Sequence, residues 1–138
     1  MKRFTLFIAL ILGLLTSAST AMAQTVNINS YITLTVKKNK KISFEYAAAA
    51  DSTPIKIKNN NIGDVRHANK NKEYFFNTSL DTIITIYGDI TKFYCKNNGA
   101  NIIGIDISHN TGLLELNCAN DSIRNLDVTK NTSLELLD

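Results

Sequence analysis

The chain contains few of the residues from which metal and catalytic centres are built. Only two cysteines and two histidines occur among its 138 residues. A zinc site needs three or four converging ligands, and neither a C-x-x-C pair nor an H-x-x-x-H pair is present. Asp106 and His109 have a ligand-like spacing, but no third ligand accompanies them. We therefore expect no enzymatic activity, with no catalytic residue, no metal and no cofactor.

Apolar runs long enough to cross a membrane are also missing. The N-terminal run Phe4–Leu15 is shorter than the roughly 20 residues that span a bilayer. It follows Lys2 and Arg3 and precedes the cleavage pattern Ala21-Met22-Ala23. Residues 1–23 are thus predicted to be a helical signal peptide, cleaved between Ala23 and Gln24, and the alternative is a membrane anchor. The residue directly after the cleavage site is Gln24 and not a cysteine, so a lipoprotein is disfavoured.

The predicted leader places the mature chain outside the cytoplasm. We expect a periplasmic, cell-surface or extracellular protein with no membrane span after cleavage. Removing Lys2 and Arg3 lowers the formal net charge from +3 to about +1. The basic isoelectric point is therefore partly a property of the leader.

The charge of the mature part is unevenly distributed. Residues 24–79 carry nine Lys and Arg against four acids, whereas residues 80–138 carry four against eight. This break predicts two units, a β-rich cap over 24–80 and a second unit over 81–138. The cluster KKNKK at 37–41 is either a basic patch or a solvated hairpin tip. We favour the tip and expect no nucleic-acid partner.

The second unit contains an internal repeat. Ile102–Ser122 and Ile123–Asp138 align at a period of 21 residues, with IDISHNTGL matching LDVTKNTSL. A looser copy lies upstream, where ITKFYCKN matches LLELNCAN at an offset of 23 residues. Apolar residues alternate as in a strand, and the following Asn or Asp falls where the chain must turn. Each copy is therefore predicted to form one coil whose apolar face is buried by its neighbours.

The repeat predicts a set of structural positions that recur from coil to coil. They are Ile90, Phe93, Cys95, Asn98, Ile102, Ile105, Ile107, Asn110, Leu113, Leu116, Cys118, Asp121, Ile123, Leu126, Val128, Asn131, Leu134 and Leu137. An aspartate, Asp121, occupies the turn position that is Asn98 in the first coil, so an asparagine ladder would be interrupted there.

The motifs LLELNCANDSIRNLDVTKNTS and ITKFYCKNN resemble a bacterial leucine-rich repeat of secreted and surface proteins, of the form LxxLxCxxNxLxxLDVSxNT. The resemblance covers residues 83–138 and implies a solenoid of about two and a half coils. It also implies a non-enzymatic module that binds a protein or a glycan at the cell surface. The alternative is a spacer or a remnant of a longer surface protein. Because the pattern stops in mid-strand at Asp138, we expect the repeats to be truncated.

Cys95 and Cys118 fall on the inward ladder position of adjacent coils. A disulfide is the default for a small secreted protein. Stacked neighbours are about 4.8 Å apart, with nearly parallel side-chain directions that suit a disulfide poorly. We favour two free, buried thiols. A disulfide is the second alternative, and a catalytic or metal role is the least favoured.

The first unit has the alternating pattern of short strands. Tyr31–Val36 and Ile42–Ala47 are predicted to form a hairpin, with further strands at 54–58, 73–77 and 82–87 and a loop at 59–71. The expected fold is mainly β, with a small β-sandwich-like cap ahead of the leucine-rich-repeat solenoid. Aromatic residues concentrate near the junction and are predicted to be core, or in one or two cases sugar-stacking rings: Tyr74, Phe75, Phe76, Tyr87, Phe93 and Tyr94.

Overall fold

A computed structural model describes residues 25–59, 62–68, 72–78 and 82–138. These residues form β1 (Tyr31–Val36), β2 (Lys41–Ala48), β3 (Pro54–Asn59), β4 (Ile62–His67), β5 (Glu73–Asn77), β6 (Ile83–Tyr87), β7 (Ile90–Tyr94), β8 (Ile102–Asp106), β9 (Glu115–Asn117) and β10 (Leu136–Leu137). The described ranges contain no helix, so the prediction of a mainly β protein is confirmed. The predicted leader, 1–23, and its cleavage site at Ala23 and Gln24 lie outside the described residues.

Across the part of the chain that the structure describes, no helix has the length and apolar character of a membrane span.

The strands form two five-stranded sheets. Sheet A has the order β4-β3-β6-β1-β8, and sheet B has the order β10-β9-β7-β2-β5. In sheet A, β1 pairs antiparallel with β6 on one side and β8 on the other. In sheet B, β2 pairs antiparallel with β5 and β7. Strands from before and after residue 80 thus share both sheets, and the division into two units stays a prediction.

A single hydrophobic cluster lies between the inner faces of the two sheets. Alternate residues of β1 and β2 enter it because side chains of a strand point to opposite faces in turn. Ile32 and Leu34 come from sheet A, while Phe44 and Phe93 come from sheet B, and all four are fully buried. Two sheets that face each other over a shared apolar layer form a sandwich-like arrangement.

The hairpin predicted for the first two strands is wrong. β1 and β2 lie in different sheets, and residues 37–40 connect one sheet to the other. The connection is held by Thr78, whose Oγ1 donates to Lys37 O at 2.6 Å and accepts from Lys40 N at 2.9 Å. The alternating pattern is the same whether two strands pair edge to edge or face each other across a core. Both strands have an apolar inner face, and the structure buries both faces in the core between the two sheets.

The loop predicted for residues 59–71 is also partly wrong, because β4 lies within it. β4 is the edge strand of sheet A and pairs antiparallel with β3 from Pro54–His67 to Asn59–Ile62. Its sequence, IGDVRH, has too little alternation to identify a strand. Pairing with β3 stabilises β4 as a strand, although its own sequence pattern does not favour one. The strands predicted at 54–58, 73–77 and 82–87 are confirmed as β3, β5 and β6.

A glycine is required at the turn between β6 and β7. Gly88 has a φ of +129°, and a Cβ added there would lie 2.5 Å from Ile55 Cδ1 and 2.9 Å from Pro54 O. The turn therefore packs directly on the start of β3, a conformation and a contact that only glycine permits. This packing fixes the position of the following residue, Asp89.

Candidate ligand-binding surface

Three short strands of sheet B pair in parallel at the repeat spacing. Lys92 is opposite Glu115, and Glu115 is opposite Leu136, at offsets of 23 and 21 residues. The inward neighbours Phe93 and Leu116 pair in the same register and are fully buried. Side chains on the core face are thus alike from copy to copy, whereas those on the outer face differ. We call the outward side chains of β7 and β9 the outer face: Lys92, Tyr94, Glu115 and Asn117.

Buried asparagines connect successive copies. Asn110 Nδ2 donates to Ile90 O at 3.0 Å, and Asn131 Nδ2 donates to Asn110 O at 2.8 Å. Both side chains are almost completely buried. Buried amides need hydrogen-bond partners, and the Nδ2 groups of both asparagines find theirs on the backbone of the preceding copy. Asn131 Oδ1 has no partner among the described residues.

Asn98 joins the first copy to the N-terminal strands. Its Oδ1 accepts from Ser43 N at 2.8 Å and its Nδ2 donates to Ser43 O at 2.9 Å, so the amide pairs with β2 like a strand residue. In the next copy Asp121 takes this position and its Oδ1 accepts from Asn98 N at 2.7 Å. Burial raises the pKa of the Asp121 carboxyl above its ordinary value, partly offset by the hydrogen bond from Asn98 N.

The predicted repeat positions differ in how deeply their side chains are buried. The buried ones are Ile90, Phe93, Cys95, Asn98, Ile102, Ile107, Asn110, Leu113, Leu116 and Asn131. The half-buried ones are Ile105, Cys118, Asp121, Ile123, Leu126, Val128 and Leu134, and Leu137 is exposed. Burial thus decreases from the first copy toward β10, where fewer neighbours cover each side chain.

Both cysteines are free thiols. Cys95 is fully buried and Cys118 is half-buried. Burial raises the pKa of each thiol, and the negative charge of Asp121 adds to the effect. The thiolate is the reactive form of cysteine, so these surroundings make both side chains poor nucleophiles.

A charged cluster occupies the outer face. The Glu115 carboxylate accepts from Lys92 Nζ through one oxygen and from the Tyr94 hydroxyl through the other. The contact with Lys92 lowers the pKa of Glu115. Burial, followed by the hydrogen bond to Glu115, raises the pKa of Tyr94 to about 12. The three side chains hold one another in fixed positions on an otherwise open surface.

The aromatic residues predicted near the junction do not form one group. Tyr74 and Phe93 are buried, and Tyr87 and Tyr94 are half-buried. Phe75 is 59% exposed and Lys41 Nζ lies 4.7 Å from its ring centre. Phe76 belongs to β5, but its side chain is not among those that the structure describes.

A cleft of about 410 Å³ opens where the N-terminal segment meets two turns of the repeat region. We call it the junction cleft and define it by Asn27, Asn29, Asp89, His109, Thr111 and Gly112. In the sequence, His109 is notable only for its ligand-like spacing to Asp106. The His109 ring instead stacks on Tyr31, with centres 4.3 Å apart and planes 13° apart. No local signal identifies this contact, since the two residues are far apart in sequence.

A second cleft, of about 450 Å³, lies between the end of β4 in sheet A and the start of β5 in sheet B. Asp51, His67 and Lys72 line it together with Tyr74, whose hydroxyl donates to His67 O at 3.5 Å. Lys72 Nζ lies 5.5 Å from the Tyr74 ring centre.

In the described ranges no three His, Cys, Asp or Glu side chains converge in a way that would hold a metal ion. No protein-family model, curated protein or solved structure matches the chain.

Proposed function

We propose that this protein is an exported, non-enzymatic leucine-rich-repeat module that binds a protein or a glycan at the bacterial cell surface. The observation that carries the proposal is the difference between core-facing and outward positions in the parallel ladder of β7, β9 and β10. Core-facing positions repeat, as Phe93 and Leu116 do, while the outward positions Lys92 and Glu115 differ. Stacked repeats of this kind supply extended surfaces whose chemistry varies without cost to the core.

The proposed architecture is a short solenoid joined to the β-rich N-terminal part. Support comes from the offsets of 23 and 21 residues between paired strands. The turns also recur. Asp106 Oδ1 accepts from Ser108 N at 2.9 Å, and Asp127 Oδ1 accepts from Thr129 N at 2.8 Å, one period later. Backbone and side-chain hydrogen bonds from Ser108 lower the pKa of the Asp106 carboxyl, and side-chain and backbone hydrogen bonds from Thr129 lower that of Asp127.

The outer face has the composition of a recognition surface. It combines an aromatic ring, a cation, a carboxylate and an amide within two adjacent strands. Tyrosine gives contact area with few rotatable bonds, and it is enriched where proteins bind one another. Because Glu115 holds both Lys92 and Tyr94, little side-chain freedom is lost when a ligand binds.

A non-enzymatic role is supported by the state of the two thiols. Cys95 and Cys118 are the strongest nucleophile candidates of the repeat region, and their surroundings oppose ionisation. A nucleophilic cysteine requires the opposite shift, toward a lower pKa. Their role in the proposal is to fill the core as small apolar side chains.

The proposal is tested with the exported protein. The full chain is expressed in a bacterial host, the exported form is purified, and N-terminal sequencing is expected to begin at Gln24. It is then applied to a glycan array and to pull-downs from surface-protein extracts. Exchanging Tyr94 and Glu115 for Ala is expected to reduce retention of the ligand, whereas Lys130→Ala, on a turn, is the control.

Two results would contradict the proposal. An N-terminus that retains Met1 would refute export through a cleaved leader. Absence of any retained glycan or protein would refute the binding function and favour a structural spacer.

A further inference from the structure

We propose that the junction cleft binds the terminal sugar of a neutral glycan, an inference that rests on the proposed binding function and names its ligand class. The cleft is separate from the outer face. It lies between the segment before β1, the turn after β6 and the turn after β8. Its volume of about 410 Å³ falls within the range of small-molecule sites.

The walls of the cleft are joined to one another before any ligand binds. Asn27 Nδ2 donates to Asp89 Oδ1 at 2.7 Å, and Asn29 N donates to Asn27 Oδ1 at 3.1 Å. Ser30 Oγ donates to Asn110 Oδ1 at 3.1 Å, which connects the N-terminal segment to the repeat turn. A site whose polar groups are already fixed loses little conformational entropy on binding.

The chemistry of the walls suits a polyhydroxylated, uncharged ligand. Asp89 has a second carboxylate oxygen with no partner in the described part of the chain, and Asn29 adds an amide. Planar acceptors and donors of this kind bind vicinal hydroxyls, each of which donates and accepts. The described lining contains one carboxylate and no Lys or Arg, so an anionic ligand would find no counter-charge there.

The stacked rings provide the flat surface that a sugar ring packs against. Tyr31 covers one face of the His109 ring, and His109 is exposed and lines the cleft. Aromatic faces bury the apolar side of a sugar while the hydroxyls bond to the polar walls. Tyr31 in turn contacts Tyr87 at 5.6 Å between ring centres, which supports the pair from sheet A.

The repeat supplies matched controls, because the turn of the next copy has the same geometry. Asn110 N donates to Ile107 O at 2.9 Å, and Asn131 N donates to Val128 O at 2.9 Å. One period on, Gly112 corresponds to Ser133 and His109 to Lys130. A Cβ at Gly112 meets no atom within 4 Å, so a side chain is tolerated there.

The test compares Gly112→Leu, which obstructs the cleft, with Ser133→Leu, which makes the same change one copy away. The exported full chain and both variants are titrated with neutral, acidic and basic probes: neutral oligosaccharides, sulfated oligosaccharides and lysine-rich peptides. We expect neutral oligosaccharides to bind the wild type and Ser133→Leu equally, and Gly112→Leu to lose at least tenfold in affinity. His109→Ala against Lys130→Ala is the second pair, with about a tenfold loss expected only for the former.

Circular dichroism and the unfolding midpoint confirm that each variant folds. Neutral-glycan binding that survives Gly112→Leu and His109→Ala but is lost on Tyr94→Ala would overturn the cleft while leaving the proposed function standing. Binding of only the acidic or basic probes at the cleft would overturn the ligand class. Failure to bind any glycan or protein would refute both proposals.

Discussion

Thr78 offers a direct test of how the chain passes from one sheet to the other. It is 1% exposed, and its hydroxyl donates to Lys37 O and accepts from Lys40 N. Its backbone also bonds to the connection, with Thr78 N donating to Lys40 O at 2.8 Å.

The perturbation is Thr78→Val, which keeps the β-branched shape and removes the hydroxyl. Two hydrogen bonds of about 1 kcal/mol each are lost, and a backbone N–H and a C=O lose their partner. We expect the free energy of unfolding to fall by about 2 kcal/mol. Thr78→Ser keeps the hydroxyl and removes a methyl group, so it is expected to cost less than about 1 kcal/mol.

The assay is urea unfolding followed by circular dichroism. With an m-value of about 2 kcal/mol/M, the Val variant should unfold at a midpoint about 1 M lower than the wild type. The Ser variant should lie close to the wild type. Equal midpoints for wild type and Thr78→Val would refute the conclusion that the Thr78 hydroxyl stabilises the connection at residues 37–40.

Three further outcomes are expected. Phe93→Ala should destabilise the fold by about 4 kcal/mol in urea unfolding, because it empties a fully buried site between the sheets; a loss below about 1 kcal/mol would contradict that position. The Tyr94 phenol should titrate at about 12 by ultraviolet absorbance, and Glu115→Gln should lower this pKa toward 10.0 by removing the carboxylate that disfavours the phenolate; an unchanged titration would contradict the contact. Cys95 should react with a thiol reagent more slowly than Cys118 in the native state, as followed by mass spectrometry, because only Cys95 is completely buried; equal rates would show that the first copy is open.

Much of the local structure could be predicted from the sequence. The alternation in Tyr31–Val36 and the repeat from Ile90 onward identify strands and inward side chains, because a strand has a period of two that is set by its own backbone. The turns after Cys95 and Cys118 were also predictable. Asn97 and Asn120 adopt positive φ there, at 66° and 60°, a conformation that asparagine tolerates better than most residues.

The pairing of the strands was not accessible in this way. β1 lies beside β6 and β8 rather than beside β2, and β4 is a strand only because β3 offers it an edge. Which edges meet depends on which apolar faces bury each other, and that is a property of the whole chain. A pattern within one segment contains no information about it.

The same distinction between local pattern and tertiary structure separates the two candidate sites, the outer face and the junction cleft. The sequence by itself determined that the inward ladder repeats and that the outward positions vary, since both follow from spacing. Only the tertiary structure placed His109 on Tyr31 and Asn27 against Asp89, residues that are distant along the chain. The junction cleft exists because three separate segments meet, and the physical cause of that meeting is the shared core of the two sheets.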